Sequence, residues 1–361
     1  MDRQSLEINT RLIRRYASTV RALCAGCWIE PTAVVKGYNA LEPVTDALYD
    51  AGYRSFASSR VTHLKKVKAR YGHAETMALR VPMPSEVESI IEAADISLNS
   101  ELEVIGLLDR AAREAGKVHK VILMRDLGDL REGIFDRDRF VETARIVETG
   151  YSNIRLHGIG ANLSCYGTVV PTAENLSELA ANAAEIEAVI GRRLDAVSGG
   201  SSTSLYLALA GEMPRGINHL RVGGANLMRS EARDIPDDAL PELTDEAFVL
   251  HAEVIEAGLK PTRPIGRLGT DCFLRAKEFE DRGVRKRVLL GVGAFDVGDH
   301  AALAPLDSGV KLLGCSSDHL IADVQDSANE YRLGDTIPME LRYQAMLYST
   351  AGDQIERRYV Q

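Results

Sequence analysis

The sequence predicts a (β/α)8 barrel followed by a smaller C-terminal β domain, on three observations. Eight strand-length apolar runs recur between about residues 10 and 230, segments of helix length separate them, and past an acidic, proline-bearing stretch (231–248) the pattern changes to short runs broken by Gly, Asp and Pro. The eight runs are TAVVKG (32–37), RSFASSR (54–60), TMALRVP (76–82), DISLNS (95–100), HKVILMRDLG (119–128), IRLHGIGANL (154–163), LDAVSGGSS (194–202) and HLRVGGANLM (219–228). None alternates cleanly between polar and apolar, as expected of parallel strands buried on both faces. Between them, ALEPVTDALYDAG and NLSELAANAAEIEAVIG have helical patterns, and each ends in a Gly suited to the position after a helix. Pro171 and Thr172 precede the second as a start signal. A doubly wound open sheet competes with the barrel, but the strand count fits closure and no dinucleotide fingerprint follows the first strand. The expected domains are 1–230 and 231–361, with the first few residues available to join the second. The runs FVLHAEVIEAG, KRVLLGVGAF, VKLLGCSS, HLIADV, YRLGDTIPMELRY and IERRYV read as strands of a small barrel or sandwich.

Composition narrows the function. With 361 residues, 45% hydrophobic and 26% charged, the chain can bury a core without disulfide staples. A formal charge of −9 gives no general drive toward nucleic acid or an anionic membrane. No window approaches the ~18–20 apolar residues of a membrane span. The opening MDRQSLEINTRLIRRY carries charges throughout and does not read as a secretory signal. The five cysteines (Cys24, Cys27, Cys165, Cys272, Cys315) are odd in number and scattered. Cys24 and Cys27 have no second pair at zinc-ligand spacing, so no metal site is expected, and a reducing cytoplasm fits the free thiols.

In a barrel of this kind the active site forms at the C-terminal ends of the strands. The first strand ends at Lys36, the fourth at Asn99 and Ser100, and the fifth at Asp126 with Arg131 beyond. The sixth ends at Asn162, the seventh at Gly199-Gly200-Ser201-Ser202, and the eighth carries Arg221 and then Gly223-Gly224. Gly and Ser at the last two strand ends can cradle a phosphate through backbone N–H groups and hydroxyls. A lysine drawn into the barrel mouth loses hydration, which lowers its pKa and makes it nucleophilic toward a carbonyl. The bland alternative is a lysine whose stem lies on apolar surface while its amine reaches water. Together with the phosphate cradle, Lys36 points to pyridoxal phosphate.

The chain resembles the alanine racemase-like group of pyridoxal phosphate enzymes (fold type III), most closely its ornithine racemase branch. The motifs are AVVKGYN, ADISLNSE, VILMRDLGDLREGI, GIGANLSCYG, SGGSSTSLYLALAGEMPRGINHLRVGG, FEDRGVRKR and LGCSSDHLIADV, in family order over nearly the whole length. The resemblance implies an amino-acid racemase that works as a head-to-tail homodimer with shared active sites. It makes Lys36 the residue that binds the cofactor aldehyde and acts as base on one face of Cα. Arg131 matches the arginine near the cofactor phenolic oxygen and the substrate carboxylate. Asn162 falls where alanine racemases have a histidine beside the pyridine ring. Ser202, Gly223 and Gly224 match phosphate-binding positions, Tyr343 matches a tyrosine that reaches the phosphate, and Arg221 matches the arginine facing the pyridine nitrogen.

A guanidinium can only donate to that nitrogen. The ring is then a weaker electron sink, and return of the proton to Cα is favoured over transamination. The sequence departs from the pattern in one place. Where the family carries a second-face tyrosine in I-G-Y-A-D-G, this chain reads Val292-Gly293-Ala294-Phe295-Asp296-Val297. Candidates for the missing base are Cys272 and, after it, His319; Asp318 aligns with an aspartate that orients other groups and is a candidate substrate contact. Arg282 and Arg285-Lys286-Arg287 read as a solvated charge run or a dimer contact. The expected substrate is ornithine or another basic amino acid, whose distal ammonium needs a carboxylate; Asp126, Asp129, Glu132 and Asp271 are candidates. A decarboxylase or aldolase on the same scaffold is the alternative activity, disfavoured by Arg221. A cofactor-carrying protein without turnover is disfavoured by the second domain.

Overall fold

The computed structural model describes residues 4–361 and divides into two compact units, residues 13–243 and residues 4–12 with 244–361. The first unit is a closed barrel of eight parallel strands: β2 (Glu30–Val34), β3 (Ser55–Ser58), β4 (Glu75–Ala78), β5 (Ile96–Asn99), β6 (His119–Met124), β7 (Ile154–Gly160), β8 (Ala196–Ser201) and β9 (His219–Val222). Closure is made by β9 against β2, with Glu30 opposite His219 and Ala33 opposite Val222. The helices are α1 (Thr10–Gly26), α2 (Glu42–Asp50), α3 (Val61–Arg70), α4 (Val87–Ala93), α5 (Leu102–Glu114), α6 (Arg137–Gly150), α7 (Ala173–Ile190) and α8 (Leu205–Ala210).

Strand and helix sequences account for the layering. Val34, Ala57, Met77, Ile96, Leu98, Ile122, Met124 and Ala196 fill the barrel interior. The opposite faces of β6 and β7 present Val121, Leu123, Leu156 and Ile159 to the apolar stripes of α5, α6 and α7. Helix α7 begins with a capping box, in which Thr172 accepts from the N–H of Asn175 while the Asn175 side chain accepts from the N–H of Thr172. It ends at Gly191 with φ 72°, the left-handed conformation anticipated for that glycine.

The second unit is one eight-stranded sheet. Its path runs β12 (Leu303–Pro305), β15 (Thr336–Leu341), β10 (Phe248–Pro261), β11 (Val284–Leu290), β14 (Leu320–Asp323), β13 (Lys311–Cys315). Strand β1 (Ser5–Asn9) pairs antiparallel with β10 and parallel with β16 (Glu356–Val360), so the chain's first strand completes the sheet of its last segment. Among the described residues this path does not close. Two short helices, α9 (Ala294–Val297) and α10 (Tyr343–Ser349), accompany it. The acidic stretch after residue 230 stays with the barrel unit through Ala232, Ile235, Leu240 and Leu243, all buried, which moves the division from 230/231 to 243/244. Within the basic run, Arg282 and Arg285 are ion-paired inside the chain and are not part of a free solvated face. Arg282 and Arg285 both reach the buried Asp323, at 3.0 and 2.6 Å, and fasten β11 to β14. Among the described residues no helix is long and apolar enough to cross a membrane.

Strands β7 and β8 approach so closely that a Cβ on Gly158 would lie 1.9 Å from the Ala196 carbonyl oxygen. Gly158→Ala should therefore lower stability by about 1–3 kcal/mol or more. Gly26→Ala, where a Cβ meets nothing within 4 Å, should leave it unchanged. Thermal midpoints of the two variants check this; equal midpoints would contradict the β7–β8 register.

Candidate active site

The residues singled out from the barrel sequence gather at one mouth. Strand β2 stops at Val34, so Lys36 opens a single tight turn (Lys36–Tyr38) just past the strand end. That turn is followed by Asn39 and Ala40 at φ 53° and 50°, unusual values for residues with a Cβ and a sign that the local path is held by its surroundings. Tyr38 anchors it from the core, fully buried and 3.3 Å from the Thr45 hydroxyl. The Lys36 amine makes no hydrogen bond or ion pair among the described residues. Burial pushes its pKa below the ordinary lysine value, and the positive charges of Arg131 and Arg221 push the same way; Cys165 and Glu132 oppose them.

Arg221, on β9, is 4% exposed and has no carboxylate partner among the described residues. One Nη donates to the Ser198 hydroxyl and the other to the Ala161 carbonyl at 2.8 Å. Burial lowers its pKa to about 10, so the guanidinium stays charged at neutral pH. Ser198 lies 2.8 Å from Nδ1 of His219, whose Nε2 is 2.9 Å from Thr32, itself 2.8 Å from Ser55. His219 is pushed down to about 3 by burial and then by the charge of Arg221, so it spans this chain as a neutral imidazole. The chain leads to a cavity of about 510 Å³ at the opposite mouth, lined in part by Thr32, Ser55, Glu75, His157, Asp195 and His219. Lys36 is not among its lining residues.

Between the ends of β8 and β9 the Ser202 hydroxyl accepts from the N–H groups of Gly223 (3.2 Å) and Ala225 (3.4 Å). Glycine is required here: Gly200 has φ 109°, and a Cβ on Gly224 would lie 2.5 Å from the Glu231 side chain. Asn162, just past β7, keeps a buried Nδ2 with no partner. A ring-and-phosphate cofactor fits this set. There is an amine of lowered pKa for its aldehyde, a buried charged donor lacking an anion for its ring nitrogen, an unspent amide donor, and converging N–H groups for its phosphate.

Arg131 and Glu132 form a bidentate pair past β6, with Nη2–Oε1 at 2.6 Å. Cys165, for which the sequence suggested no role, is an exposed thiol within electrostatic reach of Lys36, Arg131 and Arg221. Its only sequence signal was its place three residues after Asn162. The remaining candidates lie in the other unit. Cys272 is an exposed free thiol in the segment between β10 and β11. Asp318 and His319 are exposed in the β13–β14 turn, with Asp318 2.6 Å from the Ser317 hydroxyl. Tyr343 is the half-buried first residue of α10. Ala294 opens α9, and the neighbouring Phe295 is 73% exposed.

Comparison with known proteins gives a consistent set. The family described as "Alanine racemase, N-terminal domain" matches residues 1–230. An ornithine racemase of Acetoanaerobium sticklandii is 39% identical over 352 residues, 98% of each chain. A lysine racemase of Thermotoga maritima is 33% identical over 355 residues, again 98% of each. An alanine racemase structure from Clostridium difficile superposes with a TM-score of 0.74 at 17% identity, covering 100% of this chain and 96% of that one, and so shares the fold.

The lowered pKa of Lys36 has a direct consequence. An acylating reagent reacts with the neutral amine, so in cofactor-free protein the Lys36 rate should level off at a lower pH than that of the other lysines. Peptide mass mapping across pH 7–11 checks this; parallel profiles would contradict it.

Proposed function

We propose, on the premise that the chain belongs to the alanine racemase N-terminal domain family, that its substrate is a basic α-amino acid, ornithine or lysine. The chain is an amino-acid racemase that uses pyridoxal phosphate. The observation that carries the substrate reading is similarity, at 39% and 33% identity over 98% of the chain, to two racemases whose named substrates both end in an ammonium group. Those substrates differ by one methylene, which a pocket discriminates by only about 10–200-fold.

When bound, the cofactor supplies an electron-withdrawing ring that acidifies the Cα–H of the attached amino acid. The chain's own groups do the rest. Lys36 holds the aldehyde, Arg221 donates to the ring nitrogen, and Asn162 lies beside the ring. Ser202 with the N–H groups at Gly223 and Gly224 holds the phosphate, with Tyr343 completing it. Because Arg221 stays charged it can only donate to the ring nitrogen, which would leave that nitrogen unprotonated and favour return of the proton to Cα over loss of carbon dioxide or an aldehyde. Lys36, neutral at a lower pH than an ordinary lysine, takes and returns the proton on one face.

A second group must serve the other face. We assign it to a thiol, Cys272 ahead of His319, with Cys165 as the second thiol on the strength of its place beside Lys36 and Arg131. The working form is a head-to-tail homodimer, supported by apolar side chains left exposed on β10 and the segment after it: Ile255, Leu259, Ile265 and Leu274. Five unpaired cysteines support a reducing, cytoplasmic setting.

The test is polarimetry of L-ornithine, L-lysine and L-alanine with the holoenzyme and with Cys272→Ser and Cys165→Ser. Optical rotation should fall to zero with ornithine and lysine, within about 200-fold of each other in rate. The serine variant at the true base should lose about 10²–10⁴-fold. A preference for alanine, or a sedimentation mass of a single 39.4 kDa chain, would overturn the substrate or the dimer assignment respectively.

A further inference from the structure

A distal ammonium needs an anion in the site, and the structure separates the four acidic candidates. Asp126 is 7% exposed and its Oδ1 accepts from the N–H groups of Gly128 (2.8 Å) and Leu130 (3.1 Å). Asp129 is 1% exposed and holds the N–H groups of Tyr166 (3.0 Å) and Val169 (3.4 Å). Both carboxylates tie down loops and have no freedom to follow a ligand. Asp271 accepts from the N–H groups of Phe273 and Arg275, each at 2.9 Å, and from the Arg275 side chain at 3.1 Å. Within the barrel unit, Glu86 is paired with Arg80 (2.6 Å) and Glu178 with Arg125 (3.2 Å).

Glu132 differs from all of these. Among the described residues it makes no bond to the backbone, its side chain is 18% exposed, and both its oxygens rest on Arg131. Its negative charge also acts on Lys36 and Arg221. Its partner Arg131 is the more exposed of the two, at 41%, and is free to turn to another carboxylate.

We propose that Glu132 selects a basic side chain by exchange of ion pairs: the substrate's α-carboxylate takes Arg131, and its distal ammonium takes the Glu132 carboxylate so released. One protein ion pair is replaced by two protein–substrate pairs, and no charge is left alone. A neutral amino acid would take Arg131 as well but would leave the largely buried Glu132 carboxylate without its ion-pair partner. The same residue therefore attracts the right substrate and penalises the wrong one. This deepens the reading of the substrate as a basic amino acid and rests on it.

Glu132→Gln keeps the side chain's length and its acceptor oxygen toward Arg131 while removing the charge. With the holoenzyme, kcat/KM for ornithine and lysine should fall by about 10–100-fold. That for norvaline and norleucine, their uncharged counterparts, should stay level or rise. Glu132→Asp, which keeps the charge, should retain the preference for the basic member of each pair. Calorimetric Kd values for α-methylornithine and α-methylnorvaline, which carry no Cα proton, should shift in the same pattern. An unchanged visible absorption of the bound cofactor certifies each variant as loaded. An equal fall for charged and uncharged substrates would overturn the proposal, leaving Glu132 only as a support for Arg131. An unchanged preference would overturn it too. Wild-type enzyme that ignores ornithine and lysine altogether would instead remove the substrate reading, and this proposal with it.

Discussion

The site depends on the closure of the barrel by hydrogen bonds between its first and last strands. Lys36 follows β2 and Arg221 lies on β9, far apart in sequence, and only the β9–β2 pairing makes them neighbours. The same pairing lays Gly223 against Val34, with a virtual Cβ only 3.3 Å from the Val34 Cβ. The position proposed for a phosphate and the position proposed for an aldehyde are thus fixed by one seam. A slip of this register would send Arg221 to the other face of β9 and dismantle the site without unfolding the helices.

A charged arginine buried without a carboxylate is a costly element in a core. The barrel lessens that cost with neutral partners only, the Ser198 hydroxyl and the Ala161 carbonyl. A carboxylate in their place would neutralise the charge and occupy the donor. His219 is the counterpart of this arrangement: kept neutral by burial, it anchors Ser198 without adding a second positive charge beside Arg221. The guanidinium is thus kept cationic with no carboxylate partner among the described residues, a setting suited to donation to a ring nitrogen that keeps its lone pair.

Much of this was legible in the sequence, for physical reasons. Strands buried on both faces write continuous apolar runs, and helix ends write their caps, so the eight-fold pattern and Gly191 could be read directly. The polar residues closing those runs gave Lys36, Asn162, Ser202 and Arg221. What could not be read is what depends on distant partners. SLEIN could be read as available to the second unit, but not as pairing with β10 and β16 in particular. Asp126 and Asp129 look like available carboxylates until their loops fold back onto them. The basic run around Arg285 looks solvated until Asp323 arrives from another strand. Cys165 gained a setting only when Lys36, Arg131 and Arg221 converged around it.

The most direct test of the account is chemical trapping at Lys36. Holoenzyme reduced with borohydride, digested and mapped by mass should carry the cofactor on the peptide containing residue 36 and on no other. An adduct at a different lysine, or none from a protein that still shows the bound cofactor's absorption, would contradict the assignment of the site.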